Sequence, residues 1–206
     1  MAPLLLLLAL AALPGQDNLD RLAEVLRSAR AWSADFTQVY LPEGFAQGTT
    51  ERGTLTLAAP ALLRFDYTTG SPRVFATDGR VGRLVDPAAG SCDAVRLDAG
   101  TWGRLPLAAV LDPPAARKAF AVESEDRSLR LVPREPTPDL AEITLRLDAS
   151  GHPETVTVLD GSGTRNTFAF SRWRAVAEPP RSFFQPALPG KEPCSPEESD
   201  TGTGNR

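Results

Sequence analysis

Soft metal ligands are nearly absent from this chain, which has one histidine, His152, and two cysteines, Cys92 and Cys194, in 206 residues. One imidazole and two distant thiols match no zinc spacing, so no metal site is expected. Basic charge is short as well. Lys and Arg total 22 against 26 Asp and Glu, and the signs are interspersed without a basic stripe to hold phosphates. Nucleic acid is excluded as a partner. A phosphate loop and a nucleophile elbow are missing too: "DGSGT", Asp160 to Thr164, has neither the lysine nor the serine context and reads as a hairpin turn. Acidic residues alternate with apolar ones on solvent faces, so no pair stands out as general acid and base. A hydrolase would have to combine Ser162 with His152, which follows Ser150-Gly151 where a surface turn histidine is expected. The chain is therefore not expected to be an enzyme or to need a cofactor.

Long apolar runs are also lacking. The run Leu4 to Leu13 is too short to span a bilayer and has the length of a signal-peptide core. Residues 1–15 are thus expected to be an export signal, cut after Ala9-Leu10-Ala11 or nearer Gly15, the alternative being a buried N-terminal helix. In an oxidising compartment Cys92 and Cys194 can form a disulfide, the alternative being two free thiols.

What remains is 42% hydrophobic residues, enough for one globular domain with a substantial core. Asp17-Asn18 offers an N-cap, and Leu19, Leu22, Leu26 and Ala29 recur at helical spacing. The period then changes to two. Leu55 and Leu57 alternate with threonines; Leu63, Phe65 and Tyr67 with Arg64 and Asp66; Ile143, Leu145 and Leu147 with Thr144 and Arg146. Val156 and Val158, then Phe168 and Phe170, alternate likewise, and Phe36, Gln38 and Tyr40 do so in "WSADFTQVY". Asp78-Gly79, Pro87 to Gly90, Ser150-Gly151 and Asp160 to Gly163 are hairpin turns. The pattern predicts a mainly β fold with some α, a meander of about ten antiparallel strands, interrupted by a short helix in "LPLAAVLDPP" that stops at its proline pair. From Pro186 the chain is rich in Pro, Gly, Ser and acid, so residues 186–206 are expected to be a disordered tail. A sheet this long must curl and cover its apolar face, giving either a packed core or a lidded cavity; periodicity leaves both open.

Five motifs in order carry a resemblance: "ADFTQ" (Ala34 to Gln38), "GTLTL" (Gly53 to Leu57) before Pro60, "RFDY" (Arg64 to Tyr67), "TDGR" (Thr77 to Arg80) before Asp86-Pro87, and "RNTFAFSRW" (Arg165 to Trp173). The chain from about Asn18 to Pro186 resembles the periplasmic outer-membrane lipoprotein carrier family, LolA. The resemblance implies an unclosed antiparallel β-barrel of 10–11 strands covered by short helices, occupying residues 16–185. It further implies a monomeric periplasmic carrier that takes the acyl chains of lipoproteins from an inner-membrane ABC lipoprotein-release complex to an outer-membrane acceptor. Its cavity wall would be Leu55, Leu57, Leu63, Phe65, Tyr67 and Val74 on one side, and Ile143, Leu145, Val156, Val158, Phe168 and Phe170 on the other. Leu22 and Leu26 of the first helix, with Leu107, Val110 and Leu111 of the second, would form the lid. The sequence departs from the family where Ala58-Ala59-Pro60 stands in place of a basic residue before the proline, an arginine that latches the lid; Arg64 is the nearest substitute. Arg83 and Val85 stand where Trp and Tyr often precede the Asp-Pro pair. A related lipid- or glycolipid-binding module, or an envelope lipid sensor, is the alternative.

Overall fold

The computed structural model describes residues 17–58, 61–97 and 113–196. Residues 1–15, expected as an export signal, and the expected lid positions Leu107, Val110 and Leu111 lie outside them. Helix α1 (Asn18–Arg27) starts where the sequence places its cap: Asp17 Oδ1 accepts from the N–H groups of Leu19 and Asp20, both at 3.0 Å. Its apolar stripe Leu19, Leu22 and Leu26 is buried.

Six strands follow: β1 (Ala31–Leu41), β2 (Thr49–Ala58), β3 (Leu62–Tyr67), β4 (Arg73–Thr77), β5 (Val81–Asp86) and β6 (Ser91–Arg96). Helix α2 (Pro113–Ala119) leads to β7 (Phe120–Glu125), β8 (Ser128–Pro133), β9 (Glu142–Leu147), β10 (Pro153–Leu159) and β11 (Arg165–Val176). The proline pair opens α2, where a missing N–H costs nothing and the fixed φ suits the first turn; the short helix expected just before it, in Leu105 to Leu111, lies outside the described residues.

All eleven strands form one antiparallel sheet in the order β6-β5-β4-β3-β2-β1-β11-β10-β9-β8-β7. It is two meanders rather than one, joined where the first strand pairs with the last. The edges β6 and β7 do not meet, so the barrel is unclosed: an open half-barrel with short helices over its concave side, as the resemblance implies. At the central seam β11 carries a bulge. Arg172 and Trp173 stand opposite Ala34 alone, with Arg172 at φ 55° and ion-paired to Asp35.

Gly53 explains the first residue of "GTLTL". It pairs with Phe36 on one side and Tyr67 on the other. A Cβ there would meet the Asp66 carbonyl and come within 2.8 Å of the Phe36 ring. Its absence lets Phe36 and Tyr67 meet edge to face at 5.1 Å across the strand between them.

The convex side of the β1–β6 half is crossed by the chain beyond β11. A 3-10 turn (Arg181–Phe184) drops Phe184, 0% exposed, onto Ala31, Ala58 and Leu62. Arg64 Nη1 donates to the Phe183 carbonyl at 2.7 Å, and its guanidinium stacks on the Phe183 ring. Gln185 Nε2 donates to Asp78 Oδ2 at 2.9 Å, and Arg83 Nε to the Cys194 carbonyl at 2.9 Å. The strap ends in a disulfide between Cys194 and Cys92 on β6, with their Cα atoms 6.1 Å apart. The expected tail is therefore tethered over residues 186–196; composition undercounts what one anchored phenylalanine and one covalent bond can hold in place.

Candidate functional site: an apolar concave face with a polar band

Register assigns the faces. Leu55 pairs with Phe65, Leu57 with Leu63, Phe36 with Phe170, Phe168 with Val156, and Val156 with Leu145. These side chains, with Tyr67, Ile143 and Val158, share the concave face and one core cluster. Eleven of the twelve sequence-read wall positions are thus brought together. Val74 is not among them. It pairs with Asp66 and Val85, on the convex side, while its neighbour Phe75 pairs with Phe65 on the concave side. In "RVFAT" three consecutive apolar residues hide the period, so parity misassigns Val74. Arg64 is also convex: its Nε reaches Asp66 Oδ2 at 2.9 Å and its Nη2 reaches Asp66 Oδ1 at 2.7 Å, and it holds the strap. A guanidinium on that face cannot latch a helix on the other.

Leu129 and Leu131, which sequence reading missed, join the same cluster, as do Phe36 and Leu147, which it placed on alternating strands without counting them among the wall positions. Leu129 and Leu131 alternate with Arg130 in plain sight, a two-residue period in β8.

The two halves of the concave face differ. Under α1, Leu129, Leu131, Ile143, Leu145, Leu147 and Val156 are each 0% exposed. Leu22 and Leu26 belong to the same cluster, so these two lid positions do cover the sheet. Helix α1 is also fastened by polar bonds. Asn18 Nδ2 donates to the Asp126 carbonyl, Arg21 Nη2 to the Ala149 carbonyl, and Trp32 Nε1 to the Leu26 carbonyl. Arg117 of α2 pairs with Asp17 and Asp20 at 2.7 and 2.8 Å. On the opposite wing the same face is less covered among the described residues: Leu84 is 37% and Val95 49% exposed, beside Gly82 and Phe75.

A polar band crosses the face from β4 to β11. Arg73 grips both carboxylate oxygens of Glu51 at 2.5 and 2.6 Å and lies 4.2 Å from the Tyr67 ring centroid. Tyr67 Oη donates to Gln38 Oε1 at 2.7 Å, and Gln38 Nε2 donates to Asn166 Oδ1 at 2.8 Å. Burial pushes the Tyr67 hydroxyl up to about 12, so it stays a neutral donor; hydrogen bonding to Arg73 holds Glu51 below the usual carboxylate range.

His152 is not the surface turn residue the sequence predicts. Its ring packs against Trp32 at 4.6 Å and Trp173 at 5.5 Å, and its buried Nε2 has no partner among the described residues. Ser162, at the other end of β10, is roughly 20 Å away at about 3.3 Å per residue. Its hydroxyl donates to Asp160 Oδ1 at 2.6 Å. The two do not form a catalytic pair, and among the described residues no group of three or more His, Cys, Asp and Glu is placed to hold a metal ion.

Acid is expected to loosen the fold in two steps. Burial depresses the His152 pKa, so the neutral form is favoured in the fold and stability is lost as pH falls below about 6.5. Burial disfavours the Asp78 carboxylate, but N–H donors from Val81 and Arg80, together with Gln185 and Arg83, outweigh it and lower the pKa to about 2. That stability, on the order of 2 kcal/mol, is present above about pH 4 and lost toward pH 2. Urea midpoints measured from pH 7 to 2 should fall in both windows, with Asp78→Asn shrinking the lower step, to which the lowered carboxylates of Glu51 and Asp17 also contribute; a midpoint flat down to pH 4 would contradict the His152 assignment.

A curled, unclosed sheet with helices over an apolar concave side defines the class of open half-barrels with a helical cover. Within it, this chain belongs to the outer membrane lipoprotein carrier protein LolA family, whose model matches residues 27–187. Among curated proteins none matches the sequence. Solved structures do. An uncharacterized conserved protein from Thermus thermophilus is 13% identical, with a TM-score of 0.52 over 85% of this chain and 94% of that one, which supports the fold. A LolA superfamily protein from Nitrosomonas europaea is 12% identical, with a TM-score of 0.47 over 84% and 98%. A chain of the Pseudomonas aeruginosa MucA/MucB complex is 18% identical, with a TM-score of 0.45 over 82% of this chain. The present chain spans 60% of that one's length.

Proposed function

We propose that this protein is a periplasmic carrier that holds the acyl chains of lipoproteins against its concave face between the inner and outer membranes. The observation that carries the reading is the uneven face itself: apolar wall on either side of the polar band, buried under α1 but exposed at Leu84 and Val95. Family membership gives it direction. Each methylene moved from water to such a wall gains about 0.8 kcal/mol, so an acyl chain crosses the aqueous space only under cover. Because α1 is fastened on several sides, the β4–β6 wing is where the chain enters. No covalent step is needed, and wall and membrane are nearly equivalent hosts; direction comes from partners, an inner-membrane ABC lipoprotein-release complex and an outer-membrane acceptor.

Purified from a lipoprotein-expressing host, the protein is expected to carry lipidated cargo visible by native mass spectrometry and to release lipoprotein from spheroplasts. Leu84→Asp should weaken acyl-probe binding by about tenfold or more, since a carboxylate on the open wall must be desolvated. Absence of cargo together with failure of release overturns the proposal.

A second reading is a lipid- or glycolipid-binding or lipid-sensing module. It is favoured by one observation: the family's latch position is alanine, and Arg64 is committed to the strap. The mass of the extracted ligand separates the two.

A further inference from the structure

An acyl chain needs hydrocarbon walls, yet the concave face interrupts its own with amides and a phenol. Gln38 is 8% exposed, two residues along β1 from Phe36 and paired across the seam with Phe168. A leucine there would continue the wall. A buried amide is disfavoured unless bonded, and Gln38 has one bond through each end, to Tyr67 and to Asn166. The chain of bonds then stops. Asn166 Oδ1 is occupied, while its Nδ2 donates to no described residue, which leaves an amide with two hydrogens to offer beside half-exposed Tyr40 on the next strand. The network ends at half-buried Asn166, whose free amide hydrogens lie on the concave side.

The charges fix what that donor can meet. Arg73, the cation of the band, spends two N–H groups on Glu51, and the pair is neutral overall. Among the described residues of the band no cation is left over for a phosphate, and the Glu51 carboxylate faces the same band. What fits is an uncharged acceptor: an ester or amide carbonyl, or a hydroxyl.

We infer that Gln38, Tyr67 and Asn166 form a linkage-reading subsite that binds the uncharged ester, amide or hydroxyl groups at the base of an acylated ligand and disfavours an anionic phosphate there. It rests on the carrier reading. The shared chemistry belongs both to an acylglyceryl group of a lipoprotein and to the sugar of a glycolipid.

The test uses the full mature chain and displacement of a fluorescent alkyl probe by three ligands of equal chain length: monopalmitoylglycerol, hexadecyl glucoside and palmitoyl lysophosphatidic acid. At least one neutral ligand is expected to bind about tenfold more tightly than the phosphate, and Gln38→Leu or Asn166→Leu to reduce that ratio to about threefold or less. Preference for the glycerol ester points to a lipoprotein-type linkage, and preference for the glucoside to a sugar. Two variants are used so that one remains if the other fails to fold, as judged by circular dichroism. Binding of all three ligands without discrimination, or a ratio that neither folded variant moves, overturns the subsite alone. Failure of every probe to bind overturns the carrier reading and the subsite with it.

Discussion

Alanine in place of Phe184 is expected to lower the free energy of unfolding by about 3–5 kcal/mol, the usual cost of removing a fully buried phenylalanine. The ring is 0% exposed and is the centre of a small cluster with Ala31, Ala58 and Leu62, apart from the main core. Two of its three buried neighbours are alanines, too small to fill the space, and the Phe183 ring that packs on it edge to face at 5.2 Å is held by Arg64. The residue lies outside every strand, so a purely local role would cost little in global stability. Urea unfolding followed by tryptophan fluorescence and by circular dichroism distinguishes the cases. Coincident transitions at a reduced midpoint are expected; a loss under about 1 kcal/mol would mean that the strap unfolds separately from the sheet.

Serine in place of Cys92 is expected to cost about 2–4 kcal/mol, through the loss of a cross-link between residues separated by 102 positions. The unfolded chain gains freedom over that whole loop, and the native state loses the anchor of the strap on the edge strand β6. Cys194→Ser and chemical reduction of the wild type should give the same midpoint within error. If reduction leaves the midpoint unmoved, the contacts from Phe184 to Gln185 hold the strap unaided.

The sequence makes the apolar wall legible wherever a two-residue period runs unbroken, as in Leu63-Phe65-Tyr67 or Ile143-Leu145-Leu147. It fails at Val74 because Val74, Phe75 and Ala76 are consecutive apolar residues, and only pairing with β3 decides which faces in. Arg64 is instructive in the opposite sense. Alternation in "RFDY" places it opposite Phe65, away from the cavity, and assigning it a lid role by family analogy sets aside the more reliable local signal. The polar band is hard to read for another reason: Gln38, Glu51, Tyr67, Arg73 and Asn166 are spread over more than a hundred positions and meet only once five strands are in register. The order of the strands is likewise invisible to local pattern, since period two is the same in one meander or two.

The seam between β1 and β11 sets the timetable of synthesis. The strand made first has its central neighbour made last, as Phe36 pairs with Phe170. Until translation ends, the half-sheet β1–β6 presents a bare, apolar-faced margin at what will be the middle of the molecule, the kind of edge that recruits other chains. Pairings this remote in sequence close slowly. Refolding yield should therefore fall with rising protein concentration.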